Sequence, residues 1–242
     1  MPETNHGIKI DNEKTRKDQT CLVVFCKRPT LLQGKQRLAK SIGAEQCLMF
    51  AQSFLKCALE DAREWPGPVV LSPSSPEDSE WASRLLEGDC RIMAQPEGGL
   101  GHRLQVIDHQ LRAEGYAKIV FIGTDAPALR PGHYEEAHRE INLVDVVLGP
   151  ASDGGVVIMG SATPWPDLLS LPWSTPHLGK ALTTACRQHG LDVKTISPGY
   201  DIDIEADLLK LQQDLSDDPR PARRHLYQQL REFLQQGETR YA

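Results

Sequence analysis

Short continuous apolar runs alternate along the chain with longer stretches whose apolar positions recur at helical spacing. Residues 21–26, CLVVFC, have the pattern of a strand covered on both faces. Residues 44–64 follow, with Cys47, Ala51, Phe54, Leu55, Ala58, Leu59 and Ala62 on one helical stripe that WPGP (65–68) breaks. VVLS (69–72) predicts a second strand. PSSPED then opens a helix running to about Leu86, with acids in the first turn, where the helix dipole favours them. Residues 90–94 read as a third strand, 101–114 as a helix, KIVFI (118–122) as a fourth strand and 132–141 as another helix. Two further strands, 144–150 and 156–160, are separated by ASDGG. A helix over 177–189, a strand over 193–197 and a helix over 204–215 complete the alternation. Residues 220–235 place Leu226, Leu230, Phe233 and Leu234 on one face, as a helix docked on the domain would.

Strands that alternate with helices imply a mostly parallel (mixed) sheet with right-handed crossovers, a single three-layer α/β/α domain. That domain is expected over residues 21–216, after a flexible polar tail (1–20) and before a C-terminal amphipathic helix (217–242). In such sheets ligands bind beyond the carboxyl ends of the strands. The polar, glycine-rich stretches that follow strands are therefore where chemistry is expected.

Composition narrows the class. A length of 242 residues suits one sizeable α/β domain, and 40% hydrophobic with 25% charged residues is ordinary for a soluble protein. The net charge of −6 argues against a nucleic-acid partner. No apolar stretch approaches the roughly 18 residues of a membrane helix, and the polar N-terminus lacks a signal-peptide core. The expectation is a cytoplasmic protein with small-molecule partners and no membrane. Cys21, Cys26, Cys47, Cys57, Cys90 and Cys186 show no C-x-x-C pair and no zinc spacing, and read as buried structural thiols.

Five stretches carry candidate chemistry. KRPTLLQGKQRLA (27–39) gathers Lys27, Arg28, Lys35 and Arg37 after the first strand, as a phosphate-binding loop or as a solvated basic loop. QPEGGLGHR (95–103) offers Gly98 and Gly99 for close backbone approach and Arg103 for an anion; a plain turn before a helix fits equally. GTDAPAL (123–129) sets Asp125 just past a strand end, where it can hold Mg²⁺ or Mn²⁺ on nucleotide phosphates or can simply shape a turn. In GPASDGGVVIMG (149–160), Asp153 faces the same region or sits in a D-G hairpin turn. In DIDIEADL (201–208), Asp201 and Asp203 project from one side if the backbone is extended, and Asp203 is also placed to cap a helix.

In this order the stretches resemble a family of GT-A-like transferases found near radical-SAM and arsenosugar biosynthesis genes, often described as glycosyltransferases. That pattern runs K-x-P-x-x-G-x-x-K-T-R-L, Q-x-G-x-L-G-x-R, G-[ST]-D-[SA]-P-x-L, G-P-A-x-D-G-G-Y-Y-L-I-G, W-S-T and D-x-D-T-x-x-D-L. Its counterparts here are KRPTLLQGKQRL, QPEGGLGHR, GTDAPAL, GPASDGGVVIMG, WST (173–175) and DIDIEADL, over residues 21–212. Leu32 stands in place of a glycine, Gln36 of a threonine, Val156 and Val157 of paired tyrosines, and Ile204 of a threonine. The resemblance implies a nucleotide-diphospho-sugar transferase-like fold and sugar transfer from a nucleotide-sugar donor to a small acceptor. Asp125 with Asp201 or Asp203 would hold Mg²⁺ or Mn²⁺, and Lys27, Lys35, Arg37, Gly98, Gly99 and Arg103 would bind the donor. Asp153 would orient the acceptor or act as base, with His177 a second base candidate. The architecture is also similar to nucleotidyltransferases such as 2-phospholactate guanylyltransferase, which implies a nucleoside triphosphate donor and pyrophosphate release instead. A third expectation is a non-catalytic nucleotide- or partner-binding domain.

Overall fold

The computed structural model describes residues 16–88 and 90–240. The first half runs β1 (Thr20–Cys26), α1 (Gln36–Ile42), α2 (Ala44–Glu64), β2 (Val69–Pro73), α3 (Ser79–Ala82), β3 (Arg91–Ile92), α4 (Leu100–Ala113) and β4 (Lys118–Ile122). The second half runs α5 (Pro131–Glu140), β5 (Val146–Pro150), β6 (Val156–Ser161), α6 (Leu178–Gln188), β7 (Val193–Thr195), α7 (Glu205–Asp214) and α8 (Pro221–Arg240). The expected N-terminal tail lies outside the described residues except for 16–20, and Thr20 already belongs to β1.

The seven strands form one sheet in the order β3-β2-β1-β4-β6-β5-β7. β1 runs parallel to β2 and β4, and β5 to β7, while β6 is antiparallel to both β4 and β5. β5 and β6 are joined through residues 151–155, so the D-G stretch is a hairpin turn, with Gly154 at φ +91°. After β1 the chain moves outward through β2 and β3, then returns to pair β4 on the other edge of β1. The carboxyl ends of β1 and β4 therefore flank the switch point where open α/β sheets bind ligands.

Alternate residues of β1 feed opposite layers. Leu22, Val24 and Cys26 pack with Leu55, Ala58, Leu59 and Ala62 of α2 and with Tyr134, Ala137 and Ile141 of α5. Cys21 and Val23 pack with Leu104, Ile107 and Leu111 of α4 and with Leu182 and Cys186 of α6. A third cluster joins Cys47, Phe50, Phe54 and Cys57 on the far side of α2 to Leu208 and Leu211 of α7 and Leu226 and Leu230 of α8. The single stripe expected on α2 is thus shared between the sheet and the C-terminal helices, which is why it is so wide.

Two elements differ from expectation. The helix expected up to about Leu86 is only a 3₁₀ turn, Pro76–Asp78, followed by α3. The chain then bends so that Leu86 enters the core, and it turns at Gly88, φ +91°. α1 was not foreseen: it buries one side chain, Leu38, and so shows no periodic stripe. No helix among the described residues is long and apolar enough to cross a membrane. Five cysteines are buried and Cys90 is partly so, all free.

Candidate active site

Gly123, Thr124 and Asp125 leave the end of β4 beside the end of β1, and two clefts meet there. The first, about 250 Å³, lies between the loop after β1, α1 and α2, and is lined by Lys27, Arg28, Thr30, Lys35, Ser74 and Gln95 among others. The second, about 380 Å³, lies towards the β5–β6 turn and the W-S-T segment, and includes Asp153, Val156, Met159, Trp173, Asp201 and Asp203. Phe25, Leu100, Gly123 and Asp125 line both.

Lys35 binds the loops to one another. It takes a left-handed backbone conformation, φ +41°, just before α1. Its side chain, only 8% exposed, crosses to the β4 loop and donates to the carbonyl oxygen of Ile202 at 2.6 Å. The same ammonium lies 3.1 Å from Asp125 Oδ1 and 3.9 Å from Asp203 Oδ1. Arg37 pairs with Asp203 at 2.6 Å. The backbone closes the contact, with the Ile202 N–H donating to the Asp125 carbonyl at 3.0 Å. An ammonium held this way fixes carboxylates rather than reaching into open solvent for phosphate.

Four carboxylates converge. Burial raises the Asp201 carboxyl to about 7, helped by Asp125, then Asp153, and opposed by Lys35. Asp153 is oriented by its own turn, its Oδ1 accepting from the Gly155 N–H at 2.9 Å. Asp203 does not cap α7. Asp207 does so instead, its Oδ2 accepting from the N–H groups of Asp203 (2.8 Å) and Ile204 (2.9 Å). That arrangement frees the Asp203 side chain for Arg37.

Several expected site residues fall elsewhere. Gly98 and Gly99 line neither cleft, although Leu100, the next residue, lines both. Arg103 folds back on its own loop, donating to the Gly98 carbonyl (2.8 Å) and the Gln95 amide oxygen (3.2 Å), so it is a brace rather than an open anion site. Lys27 does line the first cleft. His177 is exposed at the start of α6, beside Leu171 and Lys180 in a separate shallow depression, and lines neither cleft.

The second cleft owes its shape to two close backbone approaches. A Cβ on Gly154 would lie 2.1 Å from the Pro176 carbonyl oxygen, and one on Gly101 would lie 2.3 Å from that of Leu168. These contacts pull the W-S-T segment onto the β5–β6 turn and α4, and the Trp173 indole N–H donates to the Leu168 carbonyl at 2.7 Å. Sequence reading also missed the clamp behind the β4 loop. Arg223 of α8, fully buried, donates to the carbonyls of Pro127 (3.2 Å) and Leu129 (3.3 Å) and pairs with Asp61 (2.5 Å). Arg223 stands among Arg220, Arg224 and Arg231 in a polar stretch, and nothing in the sequence marks it as the one that is buried.

Among the described residues no group of three or more His, Cys, Asp or Glu side chains is arranged to hold a metal by itself. Mg²⁺ is commonly bound through one or two carboxylates with substrate phosphates and waters completing the shell. Asp125 and Asp201 fit that open arrangement, since both line the second cleft and a cation there would offset the charge of Asp125 that adds to burial in raising Asp201. Asp203, held by Arg37, fits it less well.

Over 90% of its length the chain superposes on 97% of a protein from Desulfovibrio desulfuricans G20 provisionally assigned as a nucleotide-diphospho-sugar transferase, with TM-score 0.80 and 22% identity. The fold is nucleotide-diphospho-sugar transferase-like. A 4-diphosphocytidyl-2C-methyl-D-erythritol synthase is similar over 82% of this chain and 99% of its own (TM-score 0.53, 10% identity). A cytidylyltransferase from Leptospira borgpetersenii is similar over 88% and 94% (TM-score 0.50, 10% identity). At these identities the likeness is one of fold. Residues 56–175 match a family described as "Uncharacterized protein conserved in bacteria (DUF2064)". No curated protein matches the chain.

Proposed function

We propose that the chain is a transferase using a nucleotide-activated donor, and that the transferred group is a sugar passed from a nucleotide-sugar to a small acceptor. One observation carries the reading: a cationic cleft and an acid-rimmed cleft meet at Asp125. Lys27 and Arg28 line the first cleft and would receive the donor phosphates there, where the Thr30 hydroxyl is buried without a partner among the described residues. Asp125 and Asp201 would hold Mg²⁺ or Mn²⁺. When bound, that ion supplies charge stabilisation to the departing diphosphate.

Lys35 keeps Asp125 and the 201–203 loop in register, a preorganisation on which electrostatic catalysis depends. Asp153 orients the acceptor hydroxyl and receives its proton as the new glycosidic bond forms and the bond to the nucleoside diphosphate breaks. A relation to the radical-SAM-associated glycosyltransferases rests on the six motifs alone.

Nucleotidyl transfer is the second reading, favoured by the likeness in fold to two proteins named for cytidylyl chemistry. The products separate the two: nucleoside diphosphate release from a nucleotide-sugar supports sugar transfer, and pyrophosphate release from a nucleoside triphosphate supports nucleotidyl transfer. A thermal-shift panel of both donor classes, with and without Mn²⁺, selects the donor because ligands that bind the native state raise its apparent stability. Absence of a shift with every member at saturation counts against both readings and leaves the non-catalytic partner-binding domain.

A further inference from the structure

The two clefts differ in charge as well as position. The first carries Lys27, Arg28 and Lys35 against the shared Asp125, with Arg28 3.8 Å from Asp78. The second has Asp125, Asp153, Asp201 and Asp203, and among its described lining residues Arg37 is the only cation, already paired with Asp203. Asp125 is offset from behind by Lys35. No lysine or arginine among the described residues makes an ion pair with Asp153 or Asp201.

Beside these acids the cleft is lined by an apolar wall that includes Phe25, Leu104, Phe121, Val156, Met159 and Trp173. Phe25 and Phe121 meet edge to face at 5.6 Å. The Trp173 indole N–H is spent on the Leu168 carbonyl, so the residue presents ring surface to the cleft and no free donor. Val156 adds methyl surface to the same lining.

We propose that the second cleft takes an acceptor with an apolar body and no negative charge, its hydroxyl or amino group directed at Asp153. This rests on the transferase reading and names the class of its acceptor. About 380 Å³ with one apolar wall and a few convergent polar groups is the make-up of a small-molecule pocket. A phosphate or carboxylate on the acceptor would be brought against Asp153, which pairs with no lysine or arginine among the described residues, and against the other acids that line the cleft, where like charges repel. An amine or a neutral hydroxyl meets those acids as a donor, while the body of the molecule covers the aromatic and aliphatic wall. The polyanionic donor and the acceptor are in this way sorted to different clefts by charge.

The full chain is titrated with tyramine, 4-hydroxyphenylacetate and glucose, following the Trp173 indole N–H resonance by ¹⁵N NMR, assigned with Trp173→Phe. Tyramine is expected to bind about tenfold or more tighter than the carboxylate of similar shape, and glucose weakest. Asp153→Asn, an exposed turn position, should narrow the tyramine preference. Val156→Lys, checked for folding by circular dichroism, should invert it. Equal or reversed affinities, tighter binding of glucose, or no movement of the Trp173 signal with any probe overturns the assignment. Failure of the transferase reading appears separately, as absence of any response to nucleotides in the thermal-shift panel with the probe order intact.

Discussion

The ammonium of Lys35 lies 3.1 Å from the Asp125 carboxylate and 2.6 Å from the Ile202 carbonyl oxygen, so one side chain ties together the loops after β1 and β4 and the 201–203 segment. Lys35→Met leaves both acceptors without that partner. A stability loss of about 1–3 kcal/mol is expected without any nucleotide present. Lys35→Arg should recover only part of it, because a planar guanidinium cannot take the place of a compact ammonium. If denaturant unfolding shows Lys35→Met as stable as wild type and only nucleotide affinity falls, Lys35 contacts phosphate and is not a brace.

Asp201 makes stability depend on pH. Its folded value of about 7 lies above the roughly 3.9 of an unfolded aspartate. Between those values the folded chain keeps a proton that the unfolded chain has lost, so stability falls as pH rises through the window. Asp201→Asn should flatten the decline between pH 5 and 7 by about 2 kcal/mol, a figure reduced from the full shift for solvent screening. Mn²⁺, which competes with that proton, should bind more tightly as pH rises through 7. A wild-type chain whose unfolding free energy has the same pH slope as Asp201→Asn would remove Asp201 from the acid cluster.

Much of this was legible in the sequence. Strand ends showed themselves because apolar runs stop at polar, glycine-bearing loops, and the acids Asp125, Asp153, Asp201 and Asp203 all occupy such loops. What could not be read is direction. Arg103 and Lys35 look alike as cations in loops, yet one folds back on Gly98 while the other reaches Asp125. His177 stands near W-S-T in the chain but on the outside of the helix start. α1, with one buried leucine, has no period to detect.

Leu32 holds φ +64° and is 73% exposed, where the resembling transferases carry glycine. Left-handed backbone costs a branched residue about 1–2 kcal/mol, and glycine returns about 0.5–1 kcal/mol of that as unfolded-chain entropy. Leu32→Gly should therefore raise stability by about 0.5 kcal/mol in urea unfolding, and a clear loss would mean that the leucine side chain is held by contacts.

Gly154→Ala meets both a positive φ and the Pro176 carbonyl 2.1 Å from the new carbon. A loss of about 2 kcal/mol or more is expected, together with displacement of the Trp173 indole resonance as the W-S-T segment moves. An unshifted resonance would show that the turn does not position that segment.

Arg223→Met removes the cation between Asp61, Glu60 and the carbonyls of Pro127 and Leu129. Breaking a buried pair in this way costs about 3–5 kcal/mol. Faster hydrogen exchange should accompany the loss in the loop that carries Asp125, and exchange confined to α8 would separate the clamp from the site.

The meeting of the clefts at Asp125 is tested most directly by calorimetric titration of a nucleotide-sugar panel into wild-type chain and Asp125→Asn, with and without Mn²⁺. At least one donor should bind wild type more tightly with Mn²⁺, and Asp125→Asn should lose about tenfold or more of that metal-dependent affinity while keeping the weaker metal-free binding. Metal-dependent binding of equal strength in both proteins, or no binding of any donor to wild type, would contradict it.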